Sequence, residues 1–174
     1  MRVSLITILL VFFTTSVSSQ TLQSYTLGTD DVISVIVFDE PDLSSQETRV
    51  SSSGTISMPL IGQISVLGLT ITEVEETIRL GYLGDYLKKP DINVSVVEYR
   101  PFYVNGEVEE PGSFSFREGM TVQRAISLSG GFSERAARGK IKIVRENNNG
   151  VEIKADLNTL VRPGDVITVD ESFF

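Results

Sequence analysis

Twice along this chain a succession of short β-branched runs, each closed by a Gly or Pro turn, gives way to one stretch of helical spacing and then resumes. A change of hydrophobic period from 2 to 3.6 and back restricts the fold to small sheets, each with a single helix to cover a face, which is an α+β class. In the first succession Val32-Ile33-Ser34-Val35-Ile36-Val37-Phe38 predicts a buried strand, ended by the turn residues Asp39-Glu40-Pro41-Asp42. Short strands over 46–50, 55–60 and 63–66, separated by Ser51-Ser52-Ser53-Gly54 and by Gly62, predict a β-meander. At Gly68-Leu69-Thr70 the period changes. Thr70 with Glu73, or Thr72 with Glu75, offers a capping box, and Ile71, Val74, Ile78 and Tyr82 then recur on one helical face. The spacing predicts a helix over 71–87, weakened late by Gly81 and Gly84, each costing about 1 kcal/mol against Ala, and stopped by Lys88-Lys89-Pro90. A strand over 92–96 follows, with one wet face.

Arg100-Pro101 is the natural boundary, giving domains over 20–100 and 101–174. The second succession predicts a strand over 102–108, a Pro111-Gly112 turn, and a short helix capped by Thr121 that buries Val122, Ala125 and Ile126. That helix leaves through Gly130-Gly131 in the left-handed region. Ile141 and Ile143 alternate with Lys140 and Lys142, then Val151, Ile153, Ala155 and Leu157 alternate with charged residues, with a hairpin at Asn147-Asn148-Asn149-Gly150 between them. Asp31-Val32-Ile33-Ser34-Val35 is echoed by Asp165-Val166-Ile167-Thr168-Val169. Both follow a turn and start a strand. In the later copy Pro163-Gly164 suits a type II turn, so the pair reads as one local solution used twice.

The first residues have a different character. Arg2, an apolar run from Leu5 to Phe13 and the small polar stretch through Ser19 have the order of a secretory signal peptide, with cleavage between Ser19 and Gln20. The apolar core is about ten residues, half of what a spanning helix needs. The chain has neither Cys nor His, which removes disulfides, a lipid-accepting thiol, the most used acid–base side chain and the commonest zinc ligand. Its formal charge is −8, so nucleic acid and anionic lipid are poor partners.

Tyr25-Thr26-Leu27-Gly28, Asp31-Val32-Ile33, the run Gly54-Thr55-Ile56-Ser57-Met58-Pro59-Leu60-Ile61-Gly62, and Gly68-Leu69-Thr70 with Glu73 resemble the polysaccharide-export domain of the Wza-like outer-membrane polysaccharide export family. Val104-Asn105-Gly106-Glu107-Val108, Pro111-Gly112, Thr121-Val122, Ala125-Ile126, Gly130-Gly131-Phe132 and Arg135-Ala136 resemble the soluble-ligand-binding β-grasp domain that follows it. The family often has Gly-Pro-Gly-Asp where this chain has Gly28-Thr29-Asp30-Asp31, leaving the type of the first turn open; Pro-Gly-Asp stands at 163–165. The resemblance implies a small β-rich export domain followed by a β-grasp-like domain, no enzymatic activity and no cofactor. It also implies a periplasmic homo-oligomeric ring guiding polysaccharide between an inner-membrane co-polymerase and an outer-membrane pore. Long members continue into a further β-grasp domain and a membrane helix. With neither these nor a lipid-bearing Cys here, the expectation is association with the outer membrane through protein partners, including a separate barrel protein.

Most motif residues have backbone roles to fill: Gly54, Pro59, Gly62, Thr70, Gly106, Pro111, Gly112, Gly130, Gly131, Gly164 and Asp165. Asn105 and Glu107, polar positions in a strand-like run, are candidates for facing a sugar, and Arg124 and Arg135 for contact with an anionic polymer or a neighbouring subunit. Those arginines belong, with Arg138, Lys140 and Lys142, to the one basic concentration in an acidic chain, and ordinary surface pairing is the competing reading. The acidic cluster Asp30, Asp31, Asp39, Glu40 and Asp42 lacks the alternation of a calcium loop, and reads as a solvated strand end with Asp31 capping its turn. A stand-alone carbohydrate-binding module is the alternative function. A hydrolase or lyase lacks support, because no Trp supplies a sugar platform and no carboxylate pair is evident.

Overall fold

The computed structural model describes residues 25–146 and 150–172. The leader with its Ser19-Gln20 cleavage site, and the turn residues 147–149, lie outside the described residues. Among those described no helix is long and apolar enough to cross a membrane.

β1 (Val32–Val37) is the middle strand of a three-stranded sheet, with β2 (Ser45–Arg49) antiparallel on one side and β5 (Ile92–Glu98) antiparallel on the other. Its Ile33 and Val35 are fully buried, as a nearly unbroken β-branched run requires. The expected meander does not form. β3 (Thr55–Met58) and β4 (Gly62–Ser65) make a separate hairpin, and β5 takes the free edge of β1 along six residues. The hairpin still serves the core, turning Ile56, Met58 and Ile64 inward against Val74, Ile78 and Tyr82 of α1 (Ile71–Tyr82).

Thr70 and Glu73 close both halves of the capping box: Glu73 N–H donates to Thr70 Oγ1 at 3.3 Å and Thr70 N–H to Glu73 Oε2 at 2.8 Å. The helix stops at Tyr82, five residues short of expectation. Leu83 turns out to ψ 126° and Gly84 adopts φ +92°, so the two weak helix formers Gly81 and Gly84 prevail over the apolar period. The Thr70 N–H, and then its hydroxyl, hold the Glu73 carboxyl below its ordinary value. A depressed carboxyl contributes stability that is complete above 4.5 and lost as pH falls through the depressed value. Glu73→Gln should therefore unfold with a flatter acid limb, the two stability–pH curves converging at low pH and separating above 4.5 in urea titrations.

The second sheet runs β7-β6-β10-β8-β9, where β6 is Phe102–Gly106, β7 Gly112–Phe114, β8 Ala136–Val144, β9 Glu152–Ala155 and β10 Val166–Glu171. β6 and β10 are parallel and the other neighbours antiparallel. α2 (Val122–Leu128), capped by Thr121, buries Val122, Ala125 and Ile126 against Phe102, Val104, Ile141, Ile143, Ile167 and Val169. β6 ends at Gly106, two residues early, because the chain there turns to φ +81° against the backbone of β10. Gly112, expected in a turn, is extended within β7 opposite Val104. The reversal comes earlier, where Glu109 and Glu110 N–H groups donate to the carbonyls of Gly131 and Ser129 at the exit of α2.

Candidate functional site

The echo between residues 31 and 165 has a physical basis. Asp31 Oδ2 accepts the N–H of Gly28 at 2.7 Å, and Asp165 Oδ2 accepts the N–H of Arg162 at 2.8 Å, so each carboxylate closes the turn three residues behind it. Both are buried. Asp30 adopts φ +70° where Gly164 has φ +81°; the third turn residue is left-handed in both copies, with Asp standing in for glycine in the first.

The two turns face each other across Arg100. Its backbone N–H donates to Asp31 Oδ1 at 2.8 Å, and its guanidinium donates to Asp31 Oδ2 at 3.0 Å and to the Tyr25 hydroxyl at 2.7 Å. Its other terminal nitrogen lies 2.9 Å from Glu146 Oε2, which belongs to the second unit. A methyl group on Gly28 would come within 2.4 Å of the guanidinium carbon, and one on Gly164 within 2.9 Å of Nε. Both turns thus leave the space Arg100 fills. Beside it Tyr99 stands edge-on to Tyr25 at 5.0 Å and to Phe116 at 5.3 Å, and donates to Glu118 at 2.6 Å. Tyr25 packs on the first core and Phe116 on the second. Burial, then the Asp31 bond, raises the Tyr25 hydroxyl far above its ordinary value, and burial with the Glu118 bond pushes Tyr99 up to about 12. Both are neutral donors at any physiological pH.

Of the residues singled out in the sequence, Glu107 and Arg135 come together. The Ser133 hydroxyl donates to Glu107 Oε2 at 2.6 Å, the Arg135 N–H donates to Ser133 Oγ at 3.3 Å, and the Arg135 guanidinium pairs with Glu171. This bridged chain of side chains ties the ends of β6, β8 and β10. Arg124 does not join it, donating instead to the Gly119 carbonyl at 3.3 Å. Asn105 is exposed on the sheet face opposite α2, flanked by Tyr103. In the basic concentration Lys142 sits between Glu152 and Asp170, and Arg138 lies 5.6 Å over the Phe132 ring, so much of it is paired. Asp31 has its oxygens committed to the joint, and Asp30 turns its carbonyl to Arg49.

In the sequence Arg100 marks only the boundary between the two units. The available signal was the echo itself: two turns each ending in a buried Asp, of which Asp31 is paired by Arg100 and Asp165 lies 3.9 Å from Arg145.

Residues 19–97 match the family model described as polysaccharide biosynthesis/export protein, and residues 101–155 match the SLBB domain model. The exopolysaccharide production protein ExoF of Rhizobium meliloti is 36% identical over 98 residues, covering 55% of this chain and 23% of the relative. The EPS I polysaccharide export outer membrane protein EpsA of Ralstonia nicotianae is 29% identical over 181 residues, covering 84% and 47%. The capsule polysaccharide export outer membrane protein CtrA of Neisseria meningitidis serogroup A is 28% identical over 173 residues, covering 83% and 44%. The chain spans less than half the length of each of these relatives.

Proposed function

The chain belongs to the polysaccharide biosynthesis/export family, with an SLBB domain behind its export domain, and from that premise we propose that it is a periplasmic, ring-forming component of an exopolysaccharide or capsule export machine. The observation that carries this is the pairing of the two domains through the Arg100 joint. A subunit that steers a polymer must present both domains at a fixed angle, and a buried, multiply bonded arginine between two turns supplies that rigidity. The family match is to export proteins, which sets the hydrolase and lyase readings aside.

In this reading the chain assembles with copies of itself, receives polymer from an inner-membrane co-polymerase and guides it toward an outer-membrane pore. Domains 20–100 and 101–174 act as one block. Leu60 supports a contact between copies: it is 62% exposed at φ +63°, an unusual backbone state for a bulky residue, held there with the Tyr86 hydroxyl on its carbonyl. Glu107, Arg124, Arg135 and Asn105 are the contact candidates for polymer or neighbour. Deleting the gene in its native strain should leave polymer unexported, and the purified chain should show a multiple of its subunit mass in light scattering. Undiminished secreted polymer would sink the export role, and a strictly monomeric mass at high concentration would favour the stand-alone binding module.

A further inference from the structure

The face of the second sheet opposite α2 carries a transverse row of polar side chains. Lys154 stands opposite Lys142, Lys142 opposite Thr168, and Thr168 opposite Asn105, so the row crosses β9, β8, β10 and β6 in order. These residues alternate with Ala155, Ile141, Ile143, Ile167, Val169 and Val104, which are buried in the core, and this puts the row on the outer face. At the spacing of neighbouring strands it is about 14 Å long, room for a short run of sugars. Tyr103 lies beside Asn105 on the same face, 42% exposed.

At one end the row opens into a shallow cleft of about 260 Å³ lined by Lys140, Lys142, Lys154, Glu152 and Asp170. Lys142 Nζ lies 3.4 Å from Glu152 and 3.2 Å from Asp170. Lys142 and Lys154 face each other directly, an unfavourable like-charge pair for a sheet to keep. The cleft has more ammonium than carboxylate groups, in a chain whose formal charge is −8. A local excess of positive charge on this polar face suits carboxylate groups that lie within the row itself, in contact with its ammonium groups.

We propose that this face binds an acidic polysaccharide, a polymer bearing carboxylates such as uronic acid units. The proposal rests on the export reading and adds to it the charge class of the polymer and the face that meets it. Sugar carboxylates approach Lys140 and Lys154. A carboxylate that displaces Glu152 or Asp170 from Lys142 frees their oxygens to accept sugar hydroxyls, while Thr168 and Asn105 bond further hydroxyls along the row and the Tyr103 ring takes a pyranose C–H face.

The test is an NMR titration of the purified chain with a mannuronate hexamer and, in parallel, with neutral maltohexaose. The mannuronate hexamer should shift the amides of Lys140, Lys142, Lys154, Thr168 and Asn105 and should weaken with added salt; maltohexaose should shift none. Lys140→Glu combined with Lys154→Glu should weaken binding about tenfold or more. Thr168→Val, which keeps charge and shape, should cost about threefold through its lost hydroxyl, a loss that diffuse attraction does not produce. Equal binding of maltohexaose, shifts centred on Arg124 or Arg135, no binding of the mannuronate hexamer, or an unchanged affinity in either variant overturns the proposed face. None of these results touches the export role, which stands or falls separately on the deletion strain.

Discussion

Arg100→Ala is expected to destabilise the protein by about 3 kcal/mol and to let its two domains move independently. The wild-type side chain is 11% exposed and its partner Asp31 is fully buried, so truncation leaves a carboxylate without its counter-charge in a site that water does not reach. Gly28 N–H, Arg100 N–H and the Tyr25 hydroxyl still solvate Asp31, which holds the loss to the lower part of the range for a broken buried pair. Arg100→Lys should recover little, since one ammonium lacks the planar fork that reaches Asp31, Tyr25 and Glu146 together. Chemical denaturation gives the stability change, and residual dipolar couplings on the two domains report their relative motion. A variant with wild-type stability and one common alignment tensor would show that the aromatic contacts of Tyr99, not Arg100, hold the joint.

A second large effect is expected at Gly106. An added methyl group would lie 2.1 Å from the Val169 carbonyl oxygen, which accepts the N–H of Glu107 at 3.0 Å, and the backbone there has φ +81°. Left-handed strain accounts for about 1–2 kcal/mol of the cost of Gly106→Ala, and the overlap with β10 must be relieved by moving one strand, for a total of about 4 kcal/mol. Gly62→Ala is the matched control: it has φ +73° with open space around the new methyl group, so it should lose only the strain part. Urea midpoints for the two variants separate the contributions, and equal losses would mean that β6 and β10 part at no cost. Because Glu107 is the next residue, Gly106→Ala should also disturb the Glu107–Ser133–Arg135 chain.

The features legible in the sequence are those closed by residues a few positions apart. Thr70 and Glu73, Thr121 and the first turn of α2, and Asp31 and Asp165 behind their turns each satisfy backbone donors within one turn of chain, and local pattern is sufficient to find them. The alternation of Ile141 and Ile143 with Lys140 and Lys142 in β8 was equally readable, because a strand half exposed to water must follow period two. Glu107 could be picked out as a polar residue in a strand-like run and Arg135 as a member of the basic concentration, but their bridge through Ser133 could not, since Glu107 and Ser133 stand 26 residues apart.

By itself, then, the sequence determined the two units, their α+β class and the turn chemistry that begins each key strand, because those depend on short-range hydrogen bonds and on which side chains avoid water. Tertiary structure alone decided which strand lies beside β1, where α1 gives way to its glycines, and that Arg100 meets an aspartate 69 residues away. It alone set Lys154, Lys142, Thr168 and Asn105 in one row. Such arrangements are choices among competing long-range pairings of similar local quality, and they are settled by the burial that the whole chain achieves at once.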